Sequence, residues 1–187
     1  MAVLSFYPAK FIMRSEDPSS FRITDLWTFR SSKSHKRYIV EIEFISSLLI
    51  GVKFYWKGTA ESKNRYSLLT NDFEPRTIIL SCIRIVLDYI EKNPFMSFGF
   101  VAAEDSHARE TSILSSNYDN KRFRFYQRMM ISLFSPDSFY HYVDRKNHIY
   151  ILLNSKAVRE GITSIAVVTQ EIVNAFDLDF LLSHEKV

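Results

Sequence analysis

Residues 74–154 switch between helical and strand periods several times, and that succession limits the folds open to the chain. Ile79, Cys82, Ile83, Val86 and Ile90 recur at helical spacing, and Ile78, Ile85, Leu87 and Tyr89 widen the apolar face. Pro75 suits a first turn, where its missing N–H costs nothing. Asp72 is a candidate N-cap, and Asn93-Pro94 stops the helix. Residues 95–103 are then continuously apolar, which predicts a central strand covered on both faces. Gly99 inside it marks either a bulge or a close backbone approach. Residues 104–118 are polar and Ser-rich and read as a long loop. Helical spacing returns over 119–134, where Phe123, Tyr126, Met130, Leu133 and Phe134 face inward. Residues 139–143 and 148–153 read as a hairpin across Asp144-Arg145-Lys146-Asn147.

Upstream, residues 38–45, 52–57 and 65–70 carry strand signals, with short connections that predict an antiparallel meander. Residues 1–36 form an irregular N-terminal segment in which Phe6, Phe11, Phe21, Trp27 and Phe29 are scattered among polar residues. Short strands or a lid over the core both suit it. Downstream, 155–161 suits one helical turn. Ile165, Val168, Ile172, Val173 and Phe176 predict a C-terminal helix whose stripe covers the sheet or a second protomer. The expected fold is α+β. A mixed, mainly antiparallel sheet carries helices on its faces, in the order β-β-β-α-β-α-β-β from residue 38. We expect one domain over 1–187, with its core at 38–154 and a helical extension at 155–187.

Composition narrows the functions. The chain has only four glycines, at 51, 58, 99 and 161, and that scarcity argues against a dinucleotide-binding fingerprint or a phosphate-binding loop, both of which need close backbone approach. A net charge of +3 permits an anionic partner without requiring one. The single cysteine, Cys82, excludes an intrachain disulfide and fits a reducing compartment. No signal-peptide pattern opens the sequence and no apolar run reaches the roughly 20 residues of a membrane helix, so the expectation is a cytoplasmic protein with no membrane partner.

Candidate site residues are few. Cys82 lies on the buried helical stripe and reads as an inert core thiol rather than a nucleophile. His141 and His148 flank the hairpin but lack a third ligand nearby, so they read as surface residues and no metal site is expected. Glu104-Asp105 follow the central strand, where catalytic carboxylates can sit, although two adjacent acids opening a loop are usually solvated. Lys121, Arg122, Arg124 and Arg128, with Arg145 and the basic loop at 30–37, offer an anion-binding surface for nucleic acid. The bland alternative is the solvated side of a helix and a solvated loop.

The order of elements resembles the GNAT acyltransferase fold, and especially compact GNAT-like proteins encoded by bacteria and phages. Residues 77–89 followed by 95–103 look like the helix and strand of its acyl-CoA cleft. Asp119-Asn120-Lys121-Arg122-Phe123-Arg124-Phe125-Tyr126 looks like the following helix, with Tyr126 at the family's tyrosine. The glycine-containing loop that holds the CoA pyrophosphate in that family is replaced by Asn71-Asp72-Phe73-Glu74-Pro75-Arg76, which has no glycine, two acids and a proline without an N–H. The resemblance therefore implies a binding or regulatory module without a cofactor, in a phage, defence or toxin–antitoxin setting. Its partner would be another protein or a second copy of the chain, the copy held through the C-terminal helix. An N-acyltransferase using acetyl-CoA, with Tyr126 as general acid, is the alternative. Nucleic-acid binding through the basic helix is a further one.

Overall fold

The computed structural model describes residues 5–18, 22–66, 74–101, 121–145, 147–176 and 183–184. Their strands form one sheet in the order β1-β2-β3-β4-β5-β7-β6-β8. The strands are β1 (Lys10–Asp17), β2 (Arg22–Arg30), β3 (Arg37–Phe44), β4 (Leu49–Trp56), β5 (Ser97–Val101), β6 (Phe139–Asp144), β7 (Ile149–Asn154) and the two-residue β8 (Ser183–His184). The helices are α1 (Pro75–Lys92), α2 (Lys121–Leu133), α3 (Ser155–Arg159) and α4 (Ile165–Phe176). Every described strand pair is antiparallel except β4–β5, which is parallel and connected through α1. The expected class, a mixed and mainly antiparallel α+β sheet, is the one observed.

Helices cover both faces of the sheet. On one face α1 and α2 bury Ile79, Ile83, Val86, Phe123 and Met130 against Val40, Ile42, Phe98, Tyr150 and Leu152. On the other, Val168 and Ile172 of α4 close over Leu49, Ile149, Ile151 and Leu153. The α4 stripe thus meets the sheet, one of its two expected partners. This arrangement explains why β7 is apolar up to its closing Asn154, apart from the Tyr150 hydroxyl: all six of its residues are buried.

Three expectations change. The segment expected to be irregular contains β1 and β2, which extend the meander to four strands. Residues 65–66 lie in a turn rather than a third strand, and 67–70 fall outside the described residues. The strand expected at 52–57 begins earlier, at Leu49. Its turn is closed by the Ile45 and Ser46 amides, which donate to the Leu49 carbonyl at 3.0 and 3.1 Å.

Helix α1 starts as expected with Pro75 at its first position. Glu74 stands at the N-cap, and the candidate cap Asp72 lies outside the described residues. Gly99 makes a close approach: a Cβ there would stand 2.9 Å from the Tyr150 carbonyl oxygen on the neighbouring strand. Asn154 joins several elements. Its Oδ1 accepts from the Ala157 amide and caps α3, while its Nδ2 donates to the carbonyls of Pro94 and Met96 at the entry to β5.

Candidate functional site: a cleft between β4 and β5

Strands β4 and β5 pair from Leu49↔Ser97 to Val52↔Phe100. Beyond Val52, β4 runs on to Trp56 with no described partner on that side. A cavity of about 280 Å³ lies where the pairing ends. Strand β4 supplies Val52 and Phe54 to its walls, β5 supplies Phe98, Phe100 and Val101, α1 supplies Ile79, Cys82 and Ile83, and α2 supplies Tyr126 and Met130. The site follows from local sequence rules. Alternation turns Val52 and Phe54 to one face of β4. Spacing of three and four residues aligns Ile79, Cys82 and Ile83 on α1, and Tyr126 and Met130 on α2.

Tyr126 is half-buried. Its ring meets Phe100 edge-on at 5.1 Å and Phe54 at 6.1 Å. The two described phenylalanines that flank it come from β4 and β5, so Tyr126 sits over the end of their described pairing. Phe100 in turn stacks on Tyr150 at 5.4 Å, with the rings 10° from parallel.

The cleft's other polar groups are committed elsewhere. The Tyr66 hydroxyl donates to Glu41 Oε2 at 2.6 Å and accepts from Arg65 at 2.9 Å. Burial raises its pKa above the ordinary phenol value, and the hydrogen bond to Glu41 adds to the rise. Lys53 directs its ammonium to Glu43, which also accepts from Arg22. Burial likewise pushes the Cys82 thiol well above its ordinary value, which keeps it protonated and unreactive, as its place on the helical stripe predicted.

The basic residues differ in burial. Arg124, Arg128 and Arg145 are exposed, whereas Arg122 is half-buried and donates to the Tyr66 carbonyl at 2.9 Å, bracing a cleft wall. Lys121 opens α2. Glu104, Asp105, His107 and Arg109 lie outside the described residues.

The 30–37 loop is largely exposed, as expected, but it is anchored near its start. Ser31 is fully buried. It accepts from the Lys33 and Ser34 amides and donates to Glu74. Ser34 and Tyr7 also donate to the Glu74 carboxylate. Lys36 holds its ammonium 4.9 Å from the Trp56 ring centre. The Glu74 carboxylate at the start of α1 is therefore enclosed by hydroxyls rather than exposed to a ligand.

The hairpin histidines also depart from expectation. His141 is buried, with Nδ1 2.7 Å from the Tyr150 hydroxyl and Nε2 3.0 Å from the Phe134 carbonyl. His148 has a left-handed backbone (φ 51°) and sits 5.8 Å from the Phe123 ring. Among the described residues no group of three or more His, Cys, Asp or Glu side chains could hold a metal ion, and no helix is long and apolar enough to cross a membrane.

Of the residues around this cavity, sequence reasoning singled out Tyr126 and the segments 77–89 and 95–103, but not the β4 wall. Phe54 and Phe100 carried strand signals, yet nothing local indicated that their strands become neighbours. No protein-family model, curated protein or solved structure matches the chain.

Proposed function

We propose that this chain is a GNAT-like binding module that holds a small apolar ligand in the β4–β5 cleft and acts through binding rather than acyl transfer. The observation carrying this reading is the nature of the cleft walls. They are aliphatic and aromatic, while Tyr66, Lys53 and Cys82 have their polar groups paired elsewhere or held neutral. The GNAT-like reading is supported by the position of the cavity, at the end of the described pairing of the parallel strands β4 and β5 and against the helices α1 and α2. The start of α1 supports a role without a CoA cofactor. Pro75 there has no N–H to offer a pyrophosphate, and the Glu74 carboxylate lies beside it.

Calorimetric titration tests this reading, using decanoate as the apolar probe and acetyl-CoA as the competing one. Decanoate should bind, and Val52→Phe, which fills the cavity, should abolish its binding. Micromolar affinity for acetyl-CoA would overturn the non-catalytic reading.

One observation favours a second reading, an acyltransferase with a divergent donor site: Tyr126 lines the cleft rather than being packed away from it. On that reading acetyl-CoA is consumed in the presence of an amine acceptor, and Tyr126→Phe lowers turnover by about 10²-fold or more.

A further inference from the structure

Strand β1 ends the sheet, with β2 as its only described neighbour. All eight of its residues are exposed, including Phe11 at 51%, Ile12 at 47% and Met13 at 50%. A long edge strand with apolar side chains presents a row of backbone donors and acceptors that invites another strand. Two features limit which strand can join. Ile12 is a bulge, because the register to β2 shifts between Phe11 and Met13. The charges are also segregated, with Lys10 at the start of the strand, Arg14 near its middle and Glu16 and Asp17 at its end.

The β2 register shows which residues share a face. Phe11, Arg14 and Glu16 stand opposite Trp27, Asp25 and Ile23, on the face that carries α1. Lys10, Met13, Ser15 and Asp17 stand opposite Thr28, Leu26, Thr24 and Arg22, on the other. With the bulged Ile12 left out, the strand is self-complementary about Arg14. An antiparallel second copy places Lys10 against Asp17, Phe11 against Glu16 and Met13 against Ser15, each pair on a common face. The two Arg14 side chains meet at the two-fold axis. Each is already neutralised by two hydrogen bonds to its own Asp25, at 2.7 and 2.9 Å. A parallel copy would instead set Lys10 against Lys10 and Asp17 against Asp17, and like charges directly opposite are destabilising.

We propose that β1 is a homodimerisation edge, on which two copies pair antiparallel about Arg14 and join their sheets into one. The occupant is a second copy of this chain, because opposite charges meet only in the self-antiparallel arrangement. The interface is independent of the cleft and of its ligand.

Light scattering and sedimentation of the full chain across a concentration series test the proposal. The unaltered chain should dimerise. Lys10→Glu and Asp17→Lys should each raise the dimer dissociation constant by about tenfold or more, since each replaces two attractive cross-strand pairs with two repulsive ones. An equimolar mixture of the two variants should form a heterodimer, because both pairs between positions 10 and 17 then join opposite charges. In the unaltered chain, hydrogen exchange at the β1 amides should slow as concentration rises, which reads the interface even if a variant fails to fold. The proposal is overturned by a chain that stays monomeric, by dimers indifferent to both charge reversals, or by a dimer whose β1 amides stay unprotected.

Discussion

The Tyr89 hydroxyl donates to Asp25 Oδ2 across 2.6 Å and accepts from the Trp27 indole at 2.9 Å, tying the middle of β2 to the last turns of α1. Arg14 completes the arrangement from β1 with its bidentate grip on the same carboxylate. A charged residue at a core position of the sheet is thereby satisfied from two other elements. Tyr89→Phe keeps the ring and removes both hydrogen bonds. It should lower the unfolding free energy by about 1.5–3 kcal/mol, measured by urea denaturation.

The same carboxylate gives a pH dependence. Burial alone would raise the pKa of Asp25, but the hydrogen bonds from Arg14 and Tyr89 outweigh it and leave the group below its ordinary value. A folded-state pKa below the unfolded one contributes stability that is present above the unfolded value of about 3.9 and fades as pH falls through the folded one. Denaturation at pH 7 and pH 3 should show Asp25→Asn costing stability at pH 7 and less at pH 3. An equal cost at both pH values would contradict the assignment.

Gly99→Ala should destabilise the chain even though alanine suits a strand better than glycine does. The added methyl would stand 2.9 Å from the Tyr150 carbonyl oxygen and 3.3 Å from Ile151 Cγ1, and the first of these is backbone. Strands β5 and β7 must separate to admit it, at a cost of about 1–3 kcal/mol in chemical denaturation. Because β5 also walls the cleft, decanoate binding should weaken in the same variant.

Cys82 lines the cleft but is buried, and its thiol is pushed upward by that burial. Alkylation by iodoacetamide at pH 8 should be slow in the folded chain and complete in denaturant. Saturating decanoate should slow it further. Rapid alkylation of the native chain would show the cleft to be open to water at that point.

His141→Ala leaves the Tyr150 hydroxyl without its ring partner at 2.7 Å and opens a cavity beneath the hairpin. Thermal and urea unfolding should report a loss of about 2–4 kcal/mol. A surface histidine would show almost no change, so the measurement separates the buried position from the exposed one the sequence suggested.

Periodicity revealed most of the second half of the fold. The stripes of α1, α2 and α4, the apolar run of β5 and the hairpin turn are each local patterns, and each element formed where its pattern lay. The first half resisted reading for a physical reason. In β2 the inward positions are Ile23, Asp25, Trp27 and Phe29, and the acid breaks the apolar alternation unless Arg14 and Tyr89 are known to reach it. In β1 the bulge at Ile12 shifts the period midway. His141 follows the same logic. Its place between Phe139 and Val143 points it inward, but only Tyr150 and the Phe134 carbonyl make that burial affordable.

By itself the sequence determined the class of fold, the apolar faces of the helices and the burial of Cys82 on one of them, because each depends on residues within one or two turns of chain. Tertiary structure alone decided three further things: that β4 and β5 run parallel, that a cavity opens where their described pairing ends, and that β1 ends the described sheet. These depend on which distant segments become neighbours, and no local period encodes that choice.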